Sequence, residues 1–321
     1  MRLLNALKCK NFDRPPVWLM RQAGRILPSY RALREKYTLD ELFQNSYLAA
    51  AITRMPLEAL GVDAAILFTD IMVVAQLFGF KLQFVEKVGP VIEPLLRSTE
   101  DVKKLKAEGE LEVVKKTISL LKPDLKVPLI GFCGGPFTVA RYLIQDKTWY
   151  VKEPETFHLL LKKISAASID YLKMQVTAGV DALQIFDSWA HILTKEEFLT
   201  FSLPYLKKIV EALKGTVPLI VFCRGSSFYA EELSTLCPHA ISFDWHEELS
   251  VLRKKVPQTI AVQGNLDPEI LKQDRNSIKQ ATDKLLISMK DDPGFVVNLG
   301  HGVLPDTPLE SVRYFIDLIK N

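Results

Sequence analysis

The sequence predicts a single closed (β/α)8 barrel, and three observations predict it. Short, apolar, β-rich runs recur along all 321 residues, and stretches with apolar residues at helical spacing alternate with them. The first run leads into a turn with one glycine, where an open nucleotide-binding sheet would carry a glycine fingerprint. Eight such units in one chain suit a closed barrel better than an open sheet.

The runs are Val17–Met20, Ala64–Phe68, Pro128–Phe132, Ala182–Phe186, Leu219–Cys223, Ala240–Phe243, Thr259–Gln263 and Phe295–Leu299. Several are announced by a turn: Gly61-Val62-Asp63, Val127-Pro128, Gly179-Val180-Asp181 and Val217-Pro218. Helical spacing is clearest at 159–176, 198–213 and 309–319. Residues 79–94, with alternating Phe80, Leu82, Phe84 and Val85, read as an inserted hairpin or lid after the second strand. No low-complexity linker interrupts the pattern, so residues 1–321 read as one barrel domain.

Composition excludes several classes. The net charge is +3, and no run of like charges argues for nucleic acid or a membrane surface. Cys9, Cys133, Cys223 and Cys237 form neither a disulfide framework nor a C-x-x-C metal site, so reduced thiols are expected. Residues 1–8 carry leucines at helical spacing with no apolar stretch after them, which reads as a short surface helix. No apolar run approaches the roughly 20 residues of a membrane span. The expectation is a soluble, cytoplasmic protein.

In such a barrel the active site lies beyond the C-terminal ends of the strands. The first strand ends in Arg21-Gln22-Ala23-Gly24-Arg25 and the second in Thr69-Asp70. The fourth ends in Asp187-Ser188-Trp189 and the last in Gly300-His301-Gly302. Two arginines four residues apart suit a substrate with several carboxylates, because each guanidinium binds a carboxylate through two hydrogen bonds. Asp70 has apolar residues on both sides, so it is either a helix cap or a functional acid. Plainer readings stand beside the others: Arg21 and Arg25 as turn residues, His301 as filler of a tight turn, Ser188 as a helix cap, Tyr142 as core. No H-E-x-x-H or comparable cluster suggests a metal.

The run Pro16 to Arg25 with Leu27-Pro28 resembles the N-terminal signature of uroporphyrinogen decarboxylases. Gly131 to Thr138 with Tyr142 resembles a second family block. Phe68-Thr69-Asp70-Ile71, Phe186-Asp187-Ser188-Trp189, Gln263 to Pro268 and Asn298 to Gly302 match further blocks in order, so the resemblance covers essentially the whole chain. Two places depart from it: Leu143-Ile144-Gln145 after Tyr142, and His191 where glycine is common. His191 either adds a weak cation at the rim or decorates the loop.

The resemblance implies decarboxylation of the four acetate arms of uroporphyrinogen III to methyls, giving coproporphyrinogen III with no metal or organic cofactor. It implies Asp70 as the catalytic anion and Arg21 as a candidate proton donor, although a guanidinium of ordinary pKa above ~12 is a poor acid. Arg21, Gln22, Ala23, Gly24, Arg25, Asp70, Tyr142, Ser188, His301, Arg34 and Phe186 are implied to contact substrate, with backbone N–H groups around Gln22 and Ala23 helping. Phe12, Phe68, Phe132, Phe137 and Phe186 are candidate apolar walls. A homodimer with facing clefts is carried by the resemblance alone.

Two rivals have tests in the sequence. A zinc-dependent methyltransferase on a corrinoid or thiol would want an H-x-C site, but Val221 stands two residues before Cys223. A non-catalytic tetrapyrrole-binding protein would explain the arginines without requiring Asp70.

Overall fold

The structure is a computed structural model that describes residues 1–85 and 89–321. Among the described residues nine strands form: β1 (Ala65–Ile66), β2 (Lys81–Val85), β3 (Gly89–Glu93), β4 (Leu129–Gly134), β5 (Ala182–Asp187), β6 (Leu219–Cys223), β7 (Ala240–Ser242), β8 (Ala261–Leu266) and β9 (Phe295–Leu299). Seven make one parallel sheet in the order β1-β4-β5-β6-β7-β8-β9, with helices between. Every residue of these seven strands is buried, as expected of parallel strands covered on both faces.

The expected first strand, Val17–Met20, is reduced to a single parallel bridge from Val17 to Val297. Its backbone still contacts both ends of the curled sheet. Val297 donates to the Pro16 carbonyl at 2.9 Å, and Asp63 donates to the Val17 carbonyl at 2.8 Å.

The two Gly-Val-Asp turns act as clasps at the N-terminal end of the sheet. The Asp63 carboxylate accepts from Val17 N at 2.9 Å and from both terminal nitrogens of Arg14. Asp181 repeats the device, accepting from Leu129 N at 2.8 Å and from Lys122 Nζ at 2.9 Å. Each carboxylate thereby satisfies an N–H at the start of a neighbouring strand.

Inside the curl, side chains far apart in sequence form a polar layer. Trp18 Nε1 donates to Gln263 Oε1 at 2.9 Å, and Gln263 Nε2 donates to Ser242 Oγ at 2.9 Å and Gln184 Oε1 at 3.2 Å.

The 159–176 expectation becomes the helix Pro154–Ala178, which Gly179 ends in the left-handed conformation. The 198–213 expectation splits into Lys195–Phe201 and Leu203–Ala212. Pro204 lacks the amide that a continuous helix would use, and the buried Ser202 between the two turns to Asp187 instead. The N-terminal helix Arg2–Ala6 is more than a surface element, since Leu3, Ala6 and Leu7 are fully buried. The hairpin forms as β2 against β3, antiparallel, with Lys81 opposite Glu93; its tip at 86–88 lies outside the described residues.

Candidate active site

Beyond the C-terminal ends of the strands lies a cavity of about 450 Å3. Arg21, Ala23, Gly24, Arg25, Asp70, Tyr142, Phe186, Ser188 and His301 all line it. Thus nine of the expected residues, from distant segments, converge on one space.

Arg21 enters it on an unusual backbone, with φ 62° in the left-handed region that few side chains adopt. Its side chain packs over Gly302, where an added Cβ would come within 2.5 Å of Arg21 Cδ. Gly300 is equally constrained, because a Cβ there would meet Trp245 N at 2.6 Å. The glycines flanking His301 therefore serve close packing of Arg21 and Trp245, which a tight turn alone would not require. Loss of solvation by burial lowers the Arg21 pKa from its usual value, and the charge of Asp70 opposes this.

Asp70 is half-buried. One carboxylate oxygen accepts from Met72 N at 2.8 Å, holding the turn into the 3-10 helix Val73–Phe78, while the residue also faces the cavity. Burial raises its pKa from 3.8 to about 6, against the Met72 N–H and the Arg21 charge, which lower it. At neutral pH it is an anion short of solvation.

His301 is pushed the other way, down to about 4, first by burial and then by Arg21, Arg224 and His191. It is neutral at pH 7 and packs edge-on to Phe222 and Trp245. His191 is also depressed, by burial first and then by Arg224, against its bond to the Ser188 carbonyl, which raises it. It stacks on Trp189, and its Nδ1 lies 2.9 Å from the Ser188 carbonyl.

Phe186 and Ser188 face the cavity; Asp187 between them faces away. Its buried carboxylate accepts from Thr138 N at 2.9 Å and from the hydroxyls of Thr138 and Ser202. It thereby fixes the start of helix Pro136–Leu143, which carries Tyr142. Gly135 must be bare, since a Cβ would fall 2.5 Å from Asp187. The departing Leu143-Ile144-Gln145 segment pairs with Leu96 through Leu96 N to Leu143 O (2.8 Å) and Gln145 N to Leu96 O (3.1 Å). Those bonds tie the stretch after the hairpin to the end of the Tyr142 helix.

Some expected residues lie elsewhere. Gln22 is wholly buried: its side chain accepts from Leu19 N and donates to the Ala64 carbonyl, and its own N–H donates to the Leu19 carbonyl. Arg34 ends the helix Pro28–Arg34 and donates to the Tyr37 carbonyl at 2.7 Å, outside the cavity lining. Among the candidate walls, Phe68, Phe132 and Phe186 line the cavity. Phe137 is core, and Phe12 is 89% exposed, because residue 12 sits in the loop before the first bridge and has no strand to aim it inward. Tyr30, Phe43, Pro90 and Phe222 line the cavity without having been expected.

A family model described as "Uroporphyrinogen decarboxylase (URO-D)" matches residues 1–321. The chain belongs to the uroporphyrinogen decarboxylase family. It is 49% identical to "Uroporphyrinogen decarboxylase" of Protochlamydia amoebophila, across 99% of this chain and 91% of that one. It is 39% identical to the protein of the same name in Pelobacter propionicus, across 99% and 98% of the two chains. Among solved structures, a methyltransferase from Methanosarcina mazei superposes with a TM-score of 0.84 at 22% identity, covering 99% of this chain and 97% of that one. That likeness shows the fold alone. Among the described residues, no group of three or more His, Cys, Asp or Glu side chains is placed to hold a metal ion. No helix among them is long and apolar enough to cross a membrane.

Proposed function

We propose that this chain decarboxylates the four acetate arms of uroporphyrinogen III to methyls, yielding coproporphyrinogen III without metal or organic cofactor. The observation that carries the reading is a desolvated carboxylate, Asp70, facing the same cavity as Arg21 and Arg25. Loss of carbon dioxide leaves an electron pair on the arm's methylene carbon, which normally demands a cofactor as electron sink. A pyrrole supplies its own once a ring carbon is protonated. The protein's share is then to stabilise a ring cation and to orient the carboxylate arms.

Asp70 takes the first task. It accepts from the pyrrole N–H groups and opposes the positive charge that develops in the transition state. Arg21 and Arg25 take the second, each clamping a carboxylate. Tyr142, Ser188 and neutral His301 provide hydrogen bonds at the rim, the backbone N–H of Ala23 assists Arg21, and Phe186 with Phe132 and Phe68 forms the apolar wall. The bonds of residues 16–18 to both sheet ends support a closed (β/α)8 TIM barrel formed by residues 1–321 as one domain. A cytoplasmic homodimer, with the cavities facing each other, completes the reading.

Against a zinc-dependent methyltransferase, the candidate ligand Cys223 is buried with its thiol pKa raised well above the usual range by burial. It has no cluster of companion ligands among the described residues. The deciding experiment is anaerobic turnover of uroporphyrinogen III by chelator-treated protein, followed by product chromatography. Coproporphyrinogen formed at the untreated rate supports the reading. Folded protein that gives no product overturns it.

A further inference from the structure

A second cavity, of about 330 Å3, lies behind Asp70. It shares Phe43, Thr69 and Asp70 with the front cavity, so these three residues form the partition between the two. Its outer lip carries Glu108, Glu110 and Glu112, all exposed, and so reaches solvent away from Arg21 and Arg25. Close to Thr69 and Asp70 sits Tyr171, a buried phenol whose hydroxyl lies within reach of the Thr69 side chain. A threonine hydroxyl can both donate and accept, as a proton relay must.

The chemistry proposed above gives this space a task. Each acetate loses one carbon–carbon bond; carbon dioxide leaves, the electron pair stays on the methylene carbon, and one proton joins it to make the methyl. Every arm therefore consumes one proton from water while the macrocycle occupies the front cavity. We infer that the second cavity carries water and protons to the reacting carbon from behind Asp70, with the Thr69 hydroxyl as the relay across the partition. The acidic lip suits that traffic, because it attracts hydronium and repels the polyanionic substrate and product.

This inference rests on the decarboxylase reading, and the test separates the two. Val113 lines the second cavity and not the first. Val113→Trp fills it, and Val113→Cys in a Cys9→Ala/Cys237→Ala background can be capped with benzyl methanethiosulfonate and uncapped with dithiothreitol. Uroporphyrinogen turnover is measured anaerobically in H2O and D2O. Either block should lower kcat about fivefold or more and leave KM within about twofold, as expected when proton delivery slows. The solvent isotope effect should grow, and uncapping should restore both. Thr69→Val should act likewise, with Thr69→Ser recovering most of the rate. Folded, capped protein with an unchanged rate, or a lower rate with no growth in isotope effect, overturns the inference; should the Trp variant not fold, the reversible cap decides. Wild-type protein that gives no product sinks the decarboxylase reading instead.

Discussion

Replacing Asp70 by Asn removes one charge, nearly preserves the shape and keeps an oxygen for the Met72 N–H. Burial lifts the carboxyl from 3.8 to about 6. At ~1.4 kcal/mol per pH unit, the anion is under-solvated by roughly 3 kcal/mol, an upper figure because one side of the carboxylate meets the open cavity. A cation developing beside Asp70 recovers that energy in the transition state, which a neutral amide cannot do. The variant should lose on the order of 10²–10³ in kcat, the cost of removing one preorganised electrostatic partner, while substrate still binds. The fold should respond in the opposite sense. Between 3.8 and about 6 the native state holds the proton more tightly than the unfolded chain, so stability falls as pH rises through that window and stays lower above it. Asp70→Asn should therefore be more stable than wild type at pH 8, by up to ~3 kcal/mol, and nearly equal to it near pH 3. Anaerobic turnover and denaturant unfolding at the two pH values measure both effects. An Asn variant keeping more than about a tenth of wild-type kcat, or less stable at pH 8, would refute the reasoning.

The kcat/KM profile should lose activity as pH falls through about 6, where Asp70 protonates, and this limb should persist in His301→Gln because His301 titrates near 4. A limb that follows His301 would contradict the assignment. Arg21→Gly should relieve the left-handed backbone and raise stability by about 1 kcal/mol in denaturant unfolding, while KM rises at least about tenfold from loss of a carboxylate clamp. A variant of unchanged KM would remove Arg21 from the site. Asp187→Ala strips the partners from Thr138 N–H and the Ser202 hydroxyl in a dry setting and should cost about 2–4 kcal/mol. An unchanged unfolding midpoint would show that the clamp is dispensable.

Apart from Tyr142 on its helix, the parts of the site legible in the sequence share one property: each lies within a few residues of a strand end. A barrel-like sheet sends all such positions to the same rim, so Arg21, Asp70, Ser188 and His301 could be gathered without knowing how the strands pair. Phe43, Tyr30 and Pro90 come from helices and the hairpin, whose approach depends on packing that no local period encodes. Arg34 lies outside the cavity lining for the same reason, since its helix turns the side chain toward Tyr37. The Asp63 and Asp181 clasps were readable only as turns, because their partners, Val17 and Leu129, are 46 and 52 residues away. Asp187 is the instructive case. Strand side chains alternate between faces, so with Phe186 and Ser188 toward the cavity, the residue between them must point outward into the helical layer. An aspartate buried there has to find donors, and Thr138 and Ser202 are the ones it finds. The alternation was present in the sequence; which donors answer it was not, since that requires the helix Pro136–Leu143 and the break at Ser202 to be already in place.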